Sequence, residues 1–106
     1  MPKFLVKASY NAEGARGLLK EGGSKRRAAV QKLVEGLGGK VEAFYYAYGD
    51  DDAILILDLP DVATGLALSL AVNASGAVRL STTPLVTPED VDAASKKTVK
   101  YKAPGA

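Results

Sequence analysis

Cysteine, histidine and tryptophan are all absent from this 106-residue chain. Their absence excludes disulfide bonds, thiolate nucleophiles and imidazole bases, together with the usual protein ligands of zinc, copper and haem iron. We therefore expect no metal site and no cofactor. The net charge is only +2, from 14 Lys+Arg against 12 Asp+Glu, so nucleic acid is not an expected partner.

Long hydrophobic runs are also missing from the sequence. No segment approaches the roughly 18–20 apolar residues of a membrane span, and residues 1–7 hold too short an apolar run for a signal peptide. We expect a cytoplasmic protein with no membrane partner. A hydrophobic content of 47% in 106 residues suits a single small domain with one core.

Alternation of side chains along the chain predicts four strands. The first covers residues 3–10, the second and third (40–48 and 53–59) form a hairpin, and the fourth covers 77–85. Pro84 cannot donate a ladder hydrogen bond, so it predicts a sheet edge or a strand end for the fourth strand.

Helical spacing predicts two long helices between these strands. The first begins at a Ser24 cap and ends at glycines 38–39, with Val30, Leu33, Val34 and Leu37 on one face. The second begins at an Asp61 cap and ends near Gly76, and its apolar face is Ala63, Leu66, Ala67, Leu70, Ala71 and Ala74.

Shorter elements complete the pattern. Residues 15–20 suit a brief helical turn within a connector, and Thr87 followed by Pro88 and two acids marks the start of a third helix. The lysine-rich residues 96–106 form a tail with little structure of its own. We therefore divide the chain into a domain of residues 1–95 and a tail of residues 96–106.

The order strand, helix, strand, strand, helix, strand is typical of an α+β ferredoxin-like sandwich. In this βαββαβ fold, two helices cover one face of a four-stranded antiparallel sheet. If Phe4, Val6 and Ala8 face the helices, the opposite, open face carries apolar side chains from three strands: Leu5, Tyr45, Ile54 and Ile56.

Exposed apolar groups of this kind favour contact with another surface. The sequence therefore predicts a homo-oligomer, at least a dimer, that associates through the open face. The alternative is that the C-terminal segment folds back over this face.

A run of three cations, residues 25–27, lies where the first long helix begins. A helix N-terminus already attracts anions, so positive side chains there suggest a negative partner. We predict a site for a small anion such as phosphate or carboxylate, formed by Tyr10, Gly22, Gly23, Arg26 and Arg27. The alternatives are ion pairs with Asp50, Asp51 or Asp52, contact with a neighbouring subunit, or simple solvation.

Two further charge clusters carry weaker signals. Consecutive aspartates at residues 50–52 do not converge on one cation and are typical of an acidic hairpin tip. The tail lysines Lys96, Lys97, Lys100 and Lys102 are too few for a nucleic-acid site, and we expect them to be solvated.

Several short motifs spread along the chain together resemble the GYD domain family. They are Glu13-Gly14, Gly17-Leu18-Leu19, Gly22-Gly23, Lys25-Arg26-Arg27, Gly38-Gly39-Lys40, Phe44-Tyr45, Gly49 with Asp52, Leu59-Pro60-Asp61 and Leu85-Val86-Thr87-Pro88-Glu89. In the namesake motif Gly49 and Asp52 match, whereas Asp51 stands where the family usually has tyrosine.

The resemblance implies a ferredoxin-like domain of the dimeric α+β barrel type and no established activity. The predicted function is a self-associating domain that holds a small anionic ligand near the first long helix or at the subunit interface. The alternative is a cofactor-free, metal-free enzyme that uses Tyr, Arg and Asp side chains. Such an enzyme requires convergent groups, for example Tyr10, Arg26 and Ser9 within reach of one point.

Overall fold

The computed structural model describes the whole chain, residues 1–106, as a four-stranded antiparallel sheet with four helices. The strand order is β2-β3-β1-β4, so β1 and β3 are central and β2 and β4 form the edges. The strands are β1 (Lys3–Tyr10), β2 (Lys40–Tyr46), β3 (Ala53–Asp58) and β4 (Val78–Leu85). The helices are α1 (Ala12–Glu21), α2 (Gly23–Gly36), α3 (Val62–Ser75) and α4 (Pro88–Ser95).

These elements confirm the predicted α+β class, the antiparallel sheet and the hairpin of β2 with β3. Pro84 lies in the edge strand β4, as expected for a residue without a backbone donor. The predicted caps Asp61 and Thr87 are also confirmed, and Thr87 forms a reciprocal capping box with Asp90.

The core lies between the helices and one face of the sheet. Phe4, Val6 and Ala8 of β1 point into it as predicted, opposite Leu55 and Leu57 of β3. Alternation along each strand therefore places every other side chain on the open face.

The first helical segment differs from the prediction. α1 is a ten-residue helix rather than a brief turn, because the Asn11 side chain accepts a hydrogen bond from the Gly14 N–H (2.8 Å) and caps it. Gly22 alone separates α1 from α2. Its N–H donates to the Leu18 carbonyl at 2.8 Å, and its carbonyl accepts the Arg26 N–H at 3.2 Å.

The prediction of Ser24 as a cap is therefore wrong. α2 begins at Gly23, and its cap position is two residues earlier than predicted, at Gly22, without any side-chain hydrogen bond. The backbone of Gly22 has a φ of 88°, a left-handed conformation that glycine adopts without strain.

The face of α3 that packs on the sheet is not the predicted one. Gly65 lies against the Phe4 ring, where a Cβ would be only 3.0 Å from the ring carbon Cζ. Leu68 packs against the core, and the Ser69 hydroxyl lies 3.1 Å from that of Thr82 on β4. Leu66 and Leu70 consequently point outward. Because α3 has no charged residues, no polar face determines which side of the helix is exposed, and the close approach at Gly65 decides its rotation instead.

None of the four helices has the length and apolar character needed to cross a lipid bilayer.

Candidate functional site

An apolar cavity of about 60 Å³ lies between α2 and α3, above the central strands. Val34, which is fully buried, anchors α2 on the sheet, while α3 is anchored at Gly65 over the first strand. The two helices therefore leave a gap above the central strands. Of the fifteen residues that line this cavity, Arg26 is the only one with a charge.

Tyr10 and Arg26 lie where the cavity meets a second depression, of about 170 Å³, beside α1. Both residues and Val78 line the two spaces, so the spaces adjoin one another. The second depression is more polar and includes Glu21. The predicted proximity of Tyr10 and Arg26 is thus present, and α1 forms part of the wall.

Tyr46 is a site residue that the sequence analysis did not select. Its hydroxyl donates a hydrogen bond of 2.9 Å to the Gly23 carbonyl, which ties the first residue of α2 to β2. Burial raises the pKa of the Tyr46 phenol, and Tyr10 raises it further, while the cations Arg26 and Arg27 oppose the shift. At neutral pH this phenol is therefore a hydrogen-bond donor and not a base.

Asp52 positions the end of β1 that carries Tyr10. Its carboxylate accepts the Tyr10 backbone N–H at 2.8 Å, and its own N–H donates to the Ala8 carbonyl at 2.8 Å. The Asp52 carbonyl also accepts the Ala47 N–H at 2.8 Å. The aspartate of the Gly49–Asp52 motif thus holds the hairpin turn against the central strand.

The five residues predicted for the anion site do not converge on one point. Tyr10 and Arg26 share the cavity, whereas Gly23 and Arg27 line a neighbouring depression that meets the cavity only at Phe44. Glycine at position 23 leaves room for the Tyr46 ring, because a Cβ there would lie 3.0 Å from the ring carbon Cε2. Gly22 lies on neither space and acts as the junction of two helices.

Ser9 is not brought to Arg26. Ser9 lies on the open face of the sheet, whereas Tyr10 and Ala8 lie on the face toward the helices. The Ser9 hydroxyl donates to the Asp50 carbonyl at 3.2 Å. The convergence of Tyr10, Arg26 and Ser9 that the enzyme alternative requires is absent, since Ser9 lines neither space beside Arg26.

The basic run is free of ion pairs with the acidic hairpin tip. Both ion pairs of the structure involve Lys3, and neither involves residues 25–27 or 50–52. The intrachain pairing considered from the sequence is therefore not formed. No group of three or more acidic side chains is arranged to hold a metal ion.

The open face carries the apolar residues that the sequence assigned to it. Tyr45 pairs with Ile54, and Leu5 pairs with Ile56, so all four side chains project from the same side of the sheet. Tyr45 is 72% exposed, whereas Leu5, Ile54 and Ile56 are half-buried by their neighbours.

A polar cluster that the sequence did not reveal lies at one end of this face. The Lys3 ammonium donates to the buried Asp58 carboxylate and to Glu42, both at 2.8 Å. These hydrogen bonds, that to Asp58 first, raise the pKa of Lys3. The apolar residues of the open face are thus bordered by a charged cluster at the Lys3 end.

The order of the elements and of the strands makes this a small α+β domain with a four-stranded antiparallel sheet, an arrangement consistent with the ferredoxin-like fold. The sequence profile of the GYD domain matches residues 4–95 of the chain. The chain therefore belongs to the GYD domain family. No curated protein and no solved structure matches it significantly.

Proposed function

We propose that this GYD domain is a self-associating protein whose cavity between α2 and α3 binds a small carboxylate with an apolar body. The observation that carries the proposal is Arg26, a cation without an ion pair in an otherwise uncharged cavity wall. A charge in apolar surroundings is stabilised by a counter-charge, and a guanidinium matches a carboxylate with two parallel hydrogen bonds.

The chemistry of the wall defines the ligand further. Val30, Leu33 and Leu68 offer contact only to an apolar group, while the single cation balances only one negative charge. The Tyr10 phenol, which has no hydrogen-bond partner within the chain, lies beside Arg26 and supplies a donor. A short aliphatic monocarboxylate, whose alkyl chain of two or three carbons suits a cavity of about 60 Å³, satisfies these features better than inorganic phosphate does.

Thermal unfolding tests this proposal directly. A ligand that binds only the native state stabilises it by RT ln(1 + c/Kd) at a free ligand concentration c, so the midpoint rises with the ligand concentration. At constant ionic strength we expect propionate or butyrate to raise the midpoint and phosphate to raise it less. Arg26→Ala abolishes the shift, while Lys32→Ala, which removes an exposed cation from the same helix, leaves it unchanged.

Two outcomes contradict the proposal. A wild-type midpoint that stays flat across propionate, butyrate and phosphate shows that the cavity takes no such anion. An equal shift in the wild type and in Arg26→Ala shows that binding does not involve the guanidinium.

We further propose that two copies associate through the open face. Support comes from four apolar side chains on one side of the sheet, Tyr45, Leu5, Ile54 and Ile56, of which Tyr45 is 72% exposed and the other three are half-buried. The alternative, a C-terminal segment folded back over this face, has no support in the chain, since residues 83–106 are all exposed. A second sheet face, with the same residues, offers matching apolar surface.

Substitution of Tyr45 tests the association. Tyr45→Asp places a carboxylate in the contact, and an unpaired buried charge costs about 3 kcal/mol or more, roughly a 150-fold rise in Kd. Tyr48→Asp makes the same change in the exposed hairpin loop and serves as the control. Sedimentation equilibrium should show weaker association for Tyr45→Asp alone. A wild-type monomer at micromolar concentration contradicts the proposal.

A further inference from the structure

The last part of the chain stands away from the sandwich. This arm, residues 86–106, contains α4 and the tail, and every one of its residues is exposed. The chain measures 56 × 33 × 23 Å with a radius of gyration of 17.0 Å, whereas a compact chain of about 100 residues has roughly 13 Å. The arm therefore leaves the body without packing on it.

The arm exposes apolar residues of the kind that pack against a partner surface. Val86, Val91, Val99 and Tyr101 are all exposed along it. Isolated helices shorter than about 12–15 residues are marginal in water, yet the eight-residue α4 has a complete capping box. The caps stabilise the ends of α4, and packing of its apolar side against another surface would stabilise it further.

The junction with β4 opposes a return of the arm onto its own domain. A tight reversal would have to lie between Pro84 and Pro88, and no glycine occurs from residue 77 to residue 104. Thr87 holds an extended backbone (φ −85°, ψ 162°) because it caps α4 and precedes a proline. The local geometry thus directs the arm outward.

An unpartnered apolar surface of matching character lies on the outer side of α3. Val62, Leu66 and Leu70 follow one another at helical spacing and are 65%, 59% and 62% exposed. All fourteen residues of α3 are uncharged, a composition typical of a helix with neighbours on every side.

We propose that the arm of one copy docks on the outer face of α3 of a second copy, in a reciprocal exchange. Pro88, Val91 and Ala94 share one side of α4 and lie against Leu66 and its neighbours. The acidic residues of α4 remain in solvent, since α3 offers them no counter-charge: Glu89, Asp90 and Asp92. This contact uses the helical side of the domain and is independent of the ligand cavity.

Because the chain contains no cysteine, single cysteines can report the exchange. Leu66→Cys and Val91→Cys are made in separate full-length chains, one of them isotope-labelled, mixed and treated with a short bis-maleimide. Lys32→Cys, an exposed position on α2, replaces Leu66→Cys in the control mixture. Docking raises the local concentration of the pair from micromolar to millimolar, so we expect at least about tenfold more mixed dimer than in the control.

Two results overturn the proposal. Equal yields in the two mixtures show that the arm does not dock on α3. A chain carrying both Leu66→Cys and Val91→Cys that is cross-linked within one molecule, with no mixed dimers from the single variants, shows that the arm folds back on its own domain.

Discussion

Two glycines of α1 provide a matched test of how this helix packs at the mouth of the cavity. At Gly17 a Cβ would meet nothing within 4 Å, whereas at Gly14 it would lie 2.5 Å from the Ala77 carbonyl oxygen and 3.3 Å from the Tyr10 Cβ. The same substitution, glycine to alanine, is therefore expected to act with opposite sign at two positions one turn apart.

The magnitudes follow from helix propensity and from the overlap. Gly17→Ala gains the intrinsic preference of alanine, up to about 1 kcal/mol. Gly14→Ala pushes α1 from the backbone of Ala77, and overpacking of this kind costs about 1–3 kcal/mol. The same carbonyl accepts the Asn11 N–H at 3.1 Å, so a shift also strains that hydrogen bond. Because both variants gain the preference for alanine, they should differ by the overpacking cost alone, about 1–3 kcal/mol in the free energy of unfolding.

Urea unfolding followed by tyrosine fluorescence measures both values, since the chain has no tryptophan. We expect a raised midpoint for Gly17→Ala and a lowered midpoint for Gly14→Ala at an unchanged slope. A Gly14→Ala protein as stable as the Gly17→Ala protein would refute the reasoning, because it would mean that α1 does not lie this close to Tyr10 and Ala77.

Two further predictions concern carboxylates with structural roles. Asp52→Ala removes the acceptor of the Tyr10 N–H and should lower the free energy of unfolding by about 1–3 kcal/mol. Asp50→Ala removes a carboxylate that accepts no hydrogen bond and should lower it little. Chemical denaturation of both variants measures the difference. Hydrogen bonds from the Thr64 hydroxyl and N–H lower the pKa of the cap Asp61. Its stabilising contribution is therefore complete above its unfolded pKa of about 3.9 and is lost as the pH falls through the lower folded value. As the pH falls through this range, the free energy of unfolding should decrease less for Asp61→Asn than for the wild type. Identical pH profiles would show that the Asp61 cap does not contribute to the acid sensitivity.

The strands and their faces could be predicted from the sequence because alternation reports burial directly. Phe4, Val6 and Ala8 were assigned inward and Tyr45, Ile54 and Ile56 outward on this basis, and the register places them so. Turn and cap chemistry likewise gave the hairpin and the caps of α3 and α4.

The helices were less predictable where local signals compete with packing. α3 has apolar residues on all sides, so its spacing selected Leu66 and Leu70, while contact between Gly65 and Phe4 decided its rotation. Ser24 has the chemistry of a cap, but Gly22 ends one helix and begins the next through its own backbone.

The candidate site was predictable only in part. Tyr10 and Arg26 were selected together, and they share the cavity. The cavity itself follows from the spacing between α2 and α3, which no single segment of sequence encodes. Alternation with Phe44 would have placed Tyr46 on the helical face, but its bond to Gly23 depends on where α2 begins.

Native mass spectrometry of protein purified without exchange of bound small molecules tests the central proposal most directly. It reports the number of chains and any bound molecule in one spectrum. We expect a dimer that retains a small organic acid, with the excess mass lost in Arg26→Ala and kept in Lys32→Ala. A spectrum of bare monomers at micromolar concentration, unchanged when propionate or butyrate is added, would contradict the proposal.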